Sequence, residues 1–82
     1  MQLFIYETCP FCVKVRDAMK QIGYKEGEDI ILVDAHQEDN KERLLKLGGK
    51  SQVPFLVDGD TLMYESDEII SYLVKKKAKQ FS

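Results

Sequence analysis

Apolar residues fall along this chain in two alternating spacings. Short solid runs of β-branched and aromatic residues are separated by stretches of helical period. Leu3, Phe4, Ile5 and Tyr6 form the first run and predict a buried strand over residues 3–6. Pro10 suits the first helical position, where its missing N–H is not needed. From there Phe11, Val15, Ala18 and Ile22 recur at spacings of four, three and four, with Met19 widening the stripe. Lys14, Asp17, Lys20 and Gln21 fill the opposite face, and Gly23 stops a helix predicted over residues 10–22. Ile30, Ile31, Leu32 and Val33 predict a second buried strand. Residues 40–47 predict a short helix ended by Gly48 and Gly49. A third strand, residues 53–57, opens with Val53-Pro54. Asp58-Gly59 then signals a tight hairpin into a strand over residues 61–64. Ser66 opens a last helix as its N-cap, with Ile69, Ile70, Leu73 and Val74 on one face and Lys75, Lys76 and Lys77 at its end.

The predicted order is β-α-β-α-β-β-α. A strand-helix-strand opening requires a parallel pair with a right-handed crossover, whereas the Asp-Gly hairpin requires an antiparallel one. One mixed four-stranded sheet flanked by helices meets both demands. The expected class is therefore α/β, with residues 1–82 forming a single domain. Hydrophobic residues are 44% and charged residues 32%, a globular balance. Twelve basic against fourteen acidic residues give a net charge of −2, too little positive field to hold nucleic acid. The longest apolar runs are four or five residues, too short to span a bilayer. No leader pattern precedes Gln2-Leu3-Phe4, so the expected location is the cytoplasm.

The chemistry points to Cys9 and Cys12, which are separated by two residues. Cys-x-x-Cys is also half of a zinc site, but only His36 remains as a further N or S ligand, and a closed zinc site takes four. A redox dithiol is the better reading. With Pro10 first in the helix, Cys9 is its N-cap, close to unsatisfied backbone N–H groups and the positive end of the helix dipole. That placement favours the thiolate, the attacking species in thiol–disulfide exchange. Cys12 lies on the first turn, deeper, as the resolving thiol. At the last helix, the N-terminus opened by Ser66 offers backbone N–H groups to a carboxylate, and Glu65 can accept hydrogen bonds from an ammonium, with Asp67 as an alternate. Lys41, Arg43 and Lys50 read as solvated, and His36 as a loop residue.

Cys9-Pro10-Phe11-Cys12 resembles the Cys-Pro-Tyr-Cys signature of dithiol glutaredoxins, with Phe for Tyr. Gln52-Val53-Pro54 is similar to that family's Thr-Val-Pro, and the element order is that of the thioredoxin-like fold. The chain departs from typical glutaredoxins before the last helix. There Tyr64-Glu65-Ser66-Asp67 replaces a Gly-Gly-x-Asp-Asp-like stretch and is similar to the glutathione-binding half of glutathione transferases and to the larger, transferase-like glutaredoxins. The resemblance implies a stand-alone glutaredoxin without the second, helical domain of those larger relatives. It also implies that Val53-Pro54 is cis and faces the dithiol, leaving the Val53 backbone free to pair with a peptide-like ligand. Glutathione would be held by Val53, Pro54, Glu65 and Ser66. Phe11 either flanks that pocket or packs inward. The implied activity is glutathione-dependent reduction of protein disulfides and glutathione mixed disulfides by a monomer. Glutathione would be the co-substrate, with no tightly bound cofactor and no metal. Two rivals share the residues: a redoxin reduced by a flavoprotein, and a carrier in which two chains share an iron–sulfur cluster.

Overall fold

The computed structural model describes residues 1–80. Its elements are β1 (Gln2–Ile5), α1 (Pro10–Ile22), β2 (Ile31–Asp34), α2 (Glu38–Gly48), β3 (Phe55–Asp58), β4 (Thr61–Met63) and α3 (Ser66–Gln80). The strands form one sheet in the order β2-β1-β3-β4. β1 and β2 are parallel, as the α1 crossover demands, while β1–β3 and β3–β4 are antiparallel. This is the thioredoxin-like arrangement expected of an α/β domain with that element order.

The two-residue period of a strand divides the core into two layers. Leu3 and Ile5 of β1, with Leu56 of β3, face α1 and α3 and meet Cys12, Val15, Met19, Ile69 and Leu73. Phe4 and Phe55 point to the other face and pack with Val33, Ala35 and Leu44 of the α2 side. The register sets Leu3 opposite Leu56 and Phe4 opposite Phe55, so each face receives a matched pair. The two phenyl rings meet at 5.7 Å between centroids, tilted by 54°. α1 and α3 share one face of the sheet. Lys14 of α1 joins Asp67 in the first turn of α3 at 2.6 Å, and the buried hydroxyl of Tyr24, just past the end of α1, donates to the Leu73 carbonyl midway along α3 at 2.8 Å.

Three expectations change. The buried stripe of α1 is Cys12, Val15 and Met19, not the stripe led by Phe11. Phe11 is 61% exposed, because Cys12, one helical step further on, takes the inward position at the sheet. In α3 Val74 is likewise exposed, and Ile69 and Leu73 carry the burial. That helix also continues past Lys77. Lys76 pairs with Asp58 at the turn of the β3–β4 hairpin, and Lys77 lies 4.9 Å above the Tyr24 ring, so the lysine stems cover the domain instead of ending the helix. Smaller shifts affect the boundaries: α2 begins at Glu38, where Glu38 and Asp39 place negative charge in its first turn.

Candidate thiol site and adjoining cleft

Cys9 caps α1 with extended backbone (φ −78°, ψ 120°), followed by Pro10 in the first turn. Its carbonyl accepts from the Val13 N–H at 3.0 Å, and its own N–H donates to the Tyr6 carbonyl at 3.3 Å. The predicted N-cap position is thus occupied, although the sulfur makes no capping hydrogen bond to the helix. Both cysteines are free thiols, Cys9 half-buried and Cys12 fully buried. Burial pushes the Cys12 thiol up from the ordinary 9.0 to about 11, partly opposed by a hydrogen bond with the Tyr6 backbone and, more weakly, by the charge of Arg16. A cysteine held protonated and out of water is a poor first attacker. The burial difference therefore orders the pair: Cys9 meets solvent, and Cys12 waits behind it.

Beside this turn lies a cleft of about 230 Å³ lined by Phe11, Gln52, Val53, Pro54, Tyr64, Glu65 and Ser66. It gathers Val53, Pro54, Glu65 and Ser66, the four residues expected to hold a ligand, together with Phe11, contributed by three separate segments. Phe11 projects into it from α1, which resolves the choice between inward packing and flanking the pocket. The Val53–Pro54 peptide is cis. No backbone hydrogen bond engages Val53 among the described residues. Glu65 and Ser66 bring the N-terminus of α3 to the opposite wall. Ser66 is not the N-cap, however: α3 begins at Ser66, and the Ile69 N–H donates to the Glu65 carbonyl at 2.9 Å, which puts Glu65 in the cap position. The boundary falls one residue earlier than expected, and Glu65 and Ser66 both still line the cleft. Asp67 is drawn off to Lys14.

Two lining residues were not singled out from the pattern. Gln52 sits beside Val53 in the same loop. Tyr64 follows β4; its hydroxyl donates to the Lys50 carbonyl at 2.9 Å and accepts from the Lys50 N–H at 3.1 Å, and its ring lies 4.5 Å from that of Phe55. A hint was present in the paired glycines: Gly48 leaves the space that Tyr64 fills. Arg43, by contrast, binds Gln2 at 2.8 Å and lies over Phe4, away from the cleft. Lys41 lines a shallow surface pocket with Glu38, Glu42 and Leu45. His36 occupies the turn after β2, stacked on Tyr6 at 4.0 Å.

The family model described as the glutathione S-transferase N-terminal domain matches residues 3–80. The chain belongs to that family. Curated relatives include glutaredoxin 2 of Escherichia coli strain K12, 35% identical across 96% of this chain and 35% of its own length, and glutaredoxin 2 of the O157:H7 strain at the same figures. The chain therefore spans about a third of the curated relatives it matches. Among solved structures, glutathione S-transferase 1-6 from Anopheles dirus species B superposes with a TM-score of 0.77 at 27% identity, covering 96% of this chain and 37% of that one. Glutathione S-transferase unclassified 2 from Bombyx mori gives 0.74 at 26%, covering 95% and 36%. Glutaredoxin and transferase likenesses thus meet in one family domain, as the dithiol motif and the Glu-Ser corner imply.

Proposed function

We propose that this domain is a glutathione-dependent thiol–disulfide oxidoreductase acting through Cys9 and Cys12. The observation that carries the reading is the cleft itself, which joins the first turn of the dithiol helix, the unpaired Val53 backbone and the N-terminus of α3. An extended γ-glutamyl peptide suits those walls. Its backbone can pair with Val53, its terminal carboxylate with the α3 N–H groups, and its ammonium with Glu65. The named relatives, glutaredoxins and glutathione S-transferases, support glutathione as the ligand.

In the proposed reaction the Cys9 thiolate attacks the glutathione sulfur of a mixed disulfide. The substrate thiolate leaves and takes up a proton. A second glutathione thiolate attacks the glutathione sulfur held on Cys9, which frees Cys9 and releases glutathione disulfide. A protein disulfide instead needs Cys12 to attack the Cys9 mixed disulfide and expel the second substrate thiolate. The substrates are thus glutathionylated thiols and disulfide-bearing proteins, and the location proposed is the cytoplasm.

The test is NADPH consumption in a coupled assay with glutathione, glutathione reductase and a small glutathione mixed disulfide. The unaltered domain turns over, Cys9→Ser does not, and Cys12→Ser keeps mixed-disulfide reduction while losing most reduction of protein disulfides. Indistinguishable Cys9 and Cys12 variants would overturn the role assignment. No glutathione turnover, with activity restored by a flavoprotein reductase, would favour the other redoxin reading, and a brown, cluster-bearing dimer on anaerobic purification would favour the iron–sulfur carrier.

A further inference from the structure

Arg16 sits one turn beyond Cys12 on α1, and residues four apart on a helix are side-chain neighbours, about 5–6 Å between Cβ atoms. Ile5 marks the same place from the sheet: it packs in the cluster that contains Cys12, and with Arg16 it lines a cavity of about 160 Å³ together with Glu7, Leu32 and Asp34. The guanidinium is gripped by Glu26, with Nε donating at 3.1 Å and Nη2 at 3.3 Å to its two carboxylate oxygens. Glu26 in turn is tied to Ile30 by a β-bridge just ahead of β2. At 29% and 25% side-chain exposure, this pair is shielded more than a surface ion pair.

We infer that Arg16, held by Glu26, is a charge-tuning residue for the resolving half of the dithiol, stabilising the thiolate that Cys12 becomes when it attacks the mixed disulfide on Cys9 or leaves the Cys9–Cys12 disulfide. The inference rests on the dithiol exchange proposed above. In that exchange Cys9 expels the first thiolate of a disulfide substrate and stays bonded to the other half. The Cys12 thiol loses its proton to solvent, its sulfur attacks Cys9, and the second thiolate departs. Two electrons have then moved from the dithiol to the substrate. Because burial disfavours the Cys12 anion, a neighbouring cation acts where that step is hardest. Around Cys12 the other groups are Cys9 and the Tyr6 backbone. Glu7 from the preceding loop and Asp34 from β2 line the Arg16 cavity, Asp17 adjoins Arg16, and Asp67 of α3 is already paired with Lys14. Among these groups Arg16 is the cation whose charge acts on Cys12, and Glu26 partly neutralises it.

That opposition supplies the test. The reduced domain is mixed with one equivalent of 5,5′-dithiobis(2-nitrobenzoate), without glutathione, and release of the coloured thiolate is followed by stopped flow between pH 6 and 9. Cys9 gives the first release and Cys12 the second. Arg16→Met is expected to slow the second release about three- to tenfold at neutral pH and to move its pH profile upward, with the first release unchanged. Arg16→Lys restores part of the rate, and Glu26→Gln speeds the second release. An ion pair that merely holds the fold predicts the opposite symmetry, since removing either partner would slow the step. If Arg16→Met and Glu26→Gln both slow it, or if the two releases move together, the inference is overturned. Absence of a first release from the unaltered domain would remove the dithiol chemistry and this inference with it.

Discussion

Gly48 ends α2, and a Cβ added there would lie 1.9 Å from the Tyr64 hydroxyl oxygen, 2.5 Å from Cζ and 2.8 Å from Cε2. Gly48→Ala is therefore expected to drive Tyr64 from its seat. The ring cannot step aside freely, because its hydroxyl holds both the N–H and the carbonyl of Lys50 and its face meets Phe55. Losing two hydrogen bonds of about 1 kcal/mol each and an aromatic contact of about 0.5–1.5 kcal/mol costs roughly 2.5–3.5 kcal/mol. Alanine returns about 0.5–1 kcal/mol, since Gly48 is helical and glycine there is the poorer helix former. The net loss is about 2 kcal/mol, which for a domain of this size lowers Tm by roughly 8–16 °C. Thermal unfolding followed by circular dichroism measures it. The sharper test repeats the change in a Tyr64→Leu background, where the obstructing atoms are gone. There Gly48→Ala should raise Tm slightly, so the same substitution changes sign with its neighbour. Equal effects in the two backgrounds would refute the steric account. Because Tyr64 lines the cleft, Gly48→Ala alone should also raise KM for glutathione, whereas the unfolding shift is independent of any ligand.

Replacing Glu65 and Ser66 together with Ala should lower glutathione-dependent kcat/KM about tenfold or more, the equivalent of one charge-assisted hydrogen bond, while stoichiometric reduction of a small disulfide by the pre-reduced variant stays nearly unchanged. Equal loss in both assays would show that the corner serves the helix and not the ligand. For Cys12, the folded state holds the proton up to about 11 while the unfolded thiol releases it near 9.0, so stability should fall as pH rises between those values; in Cys12→Val that component should vanish in urea titrations, and an unchanged slope would refute it. Lys76 and then Tyr72 hold the Asp58 carboxylate below its ordinary 3.8, so the pair stabilises the fold above that value and ceases to as pH falls through the lowered one. Asp58→Asn should thus cost roughly 1–2 kcal/mol at neutral pH, with the gap from the parent closing in strong acid; a gap independent of pH would argue against the ion pair.

The order of elements, the parallel opening and the α1 boundaries were all legible in the sequence, because each depends on local chemistry: runs of β-branched residues, a proline at the first helical position, glycines where helices stop. The place of Cys9 at a helix N-terminus follows from Pro10 alone. The cleft was legible only as two separate motifs, Val53-Pro54 and Glu65-Ser66, joined by resemblance to a family. The β3–β4 hairpin carries both motifs to one end of the sheet, and the β1–β3 pairing within the order β2-β1-β3-β4, which no local spacing determines, sets that end beside Cys9 and Phe11. The same holds for Phe11 and Cys12. Helical period permits either to face inward, and the sheet selects the one whose small side chain fits beneath Leu3 and Ile5. Ser66 shows the limit at a boundary: capping chemistry favours serine, but the turn from β4 places Glu65 at the cap. Tyr64 and the Arg16–Glu26 pair were hidden for a common reason. Each is defined by a partner ten or more residues away, at Lys50 and Glu26, and such pairings exist only once the sheet has brought distant turns side by side.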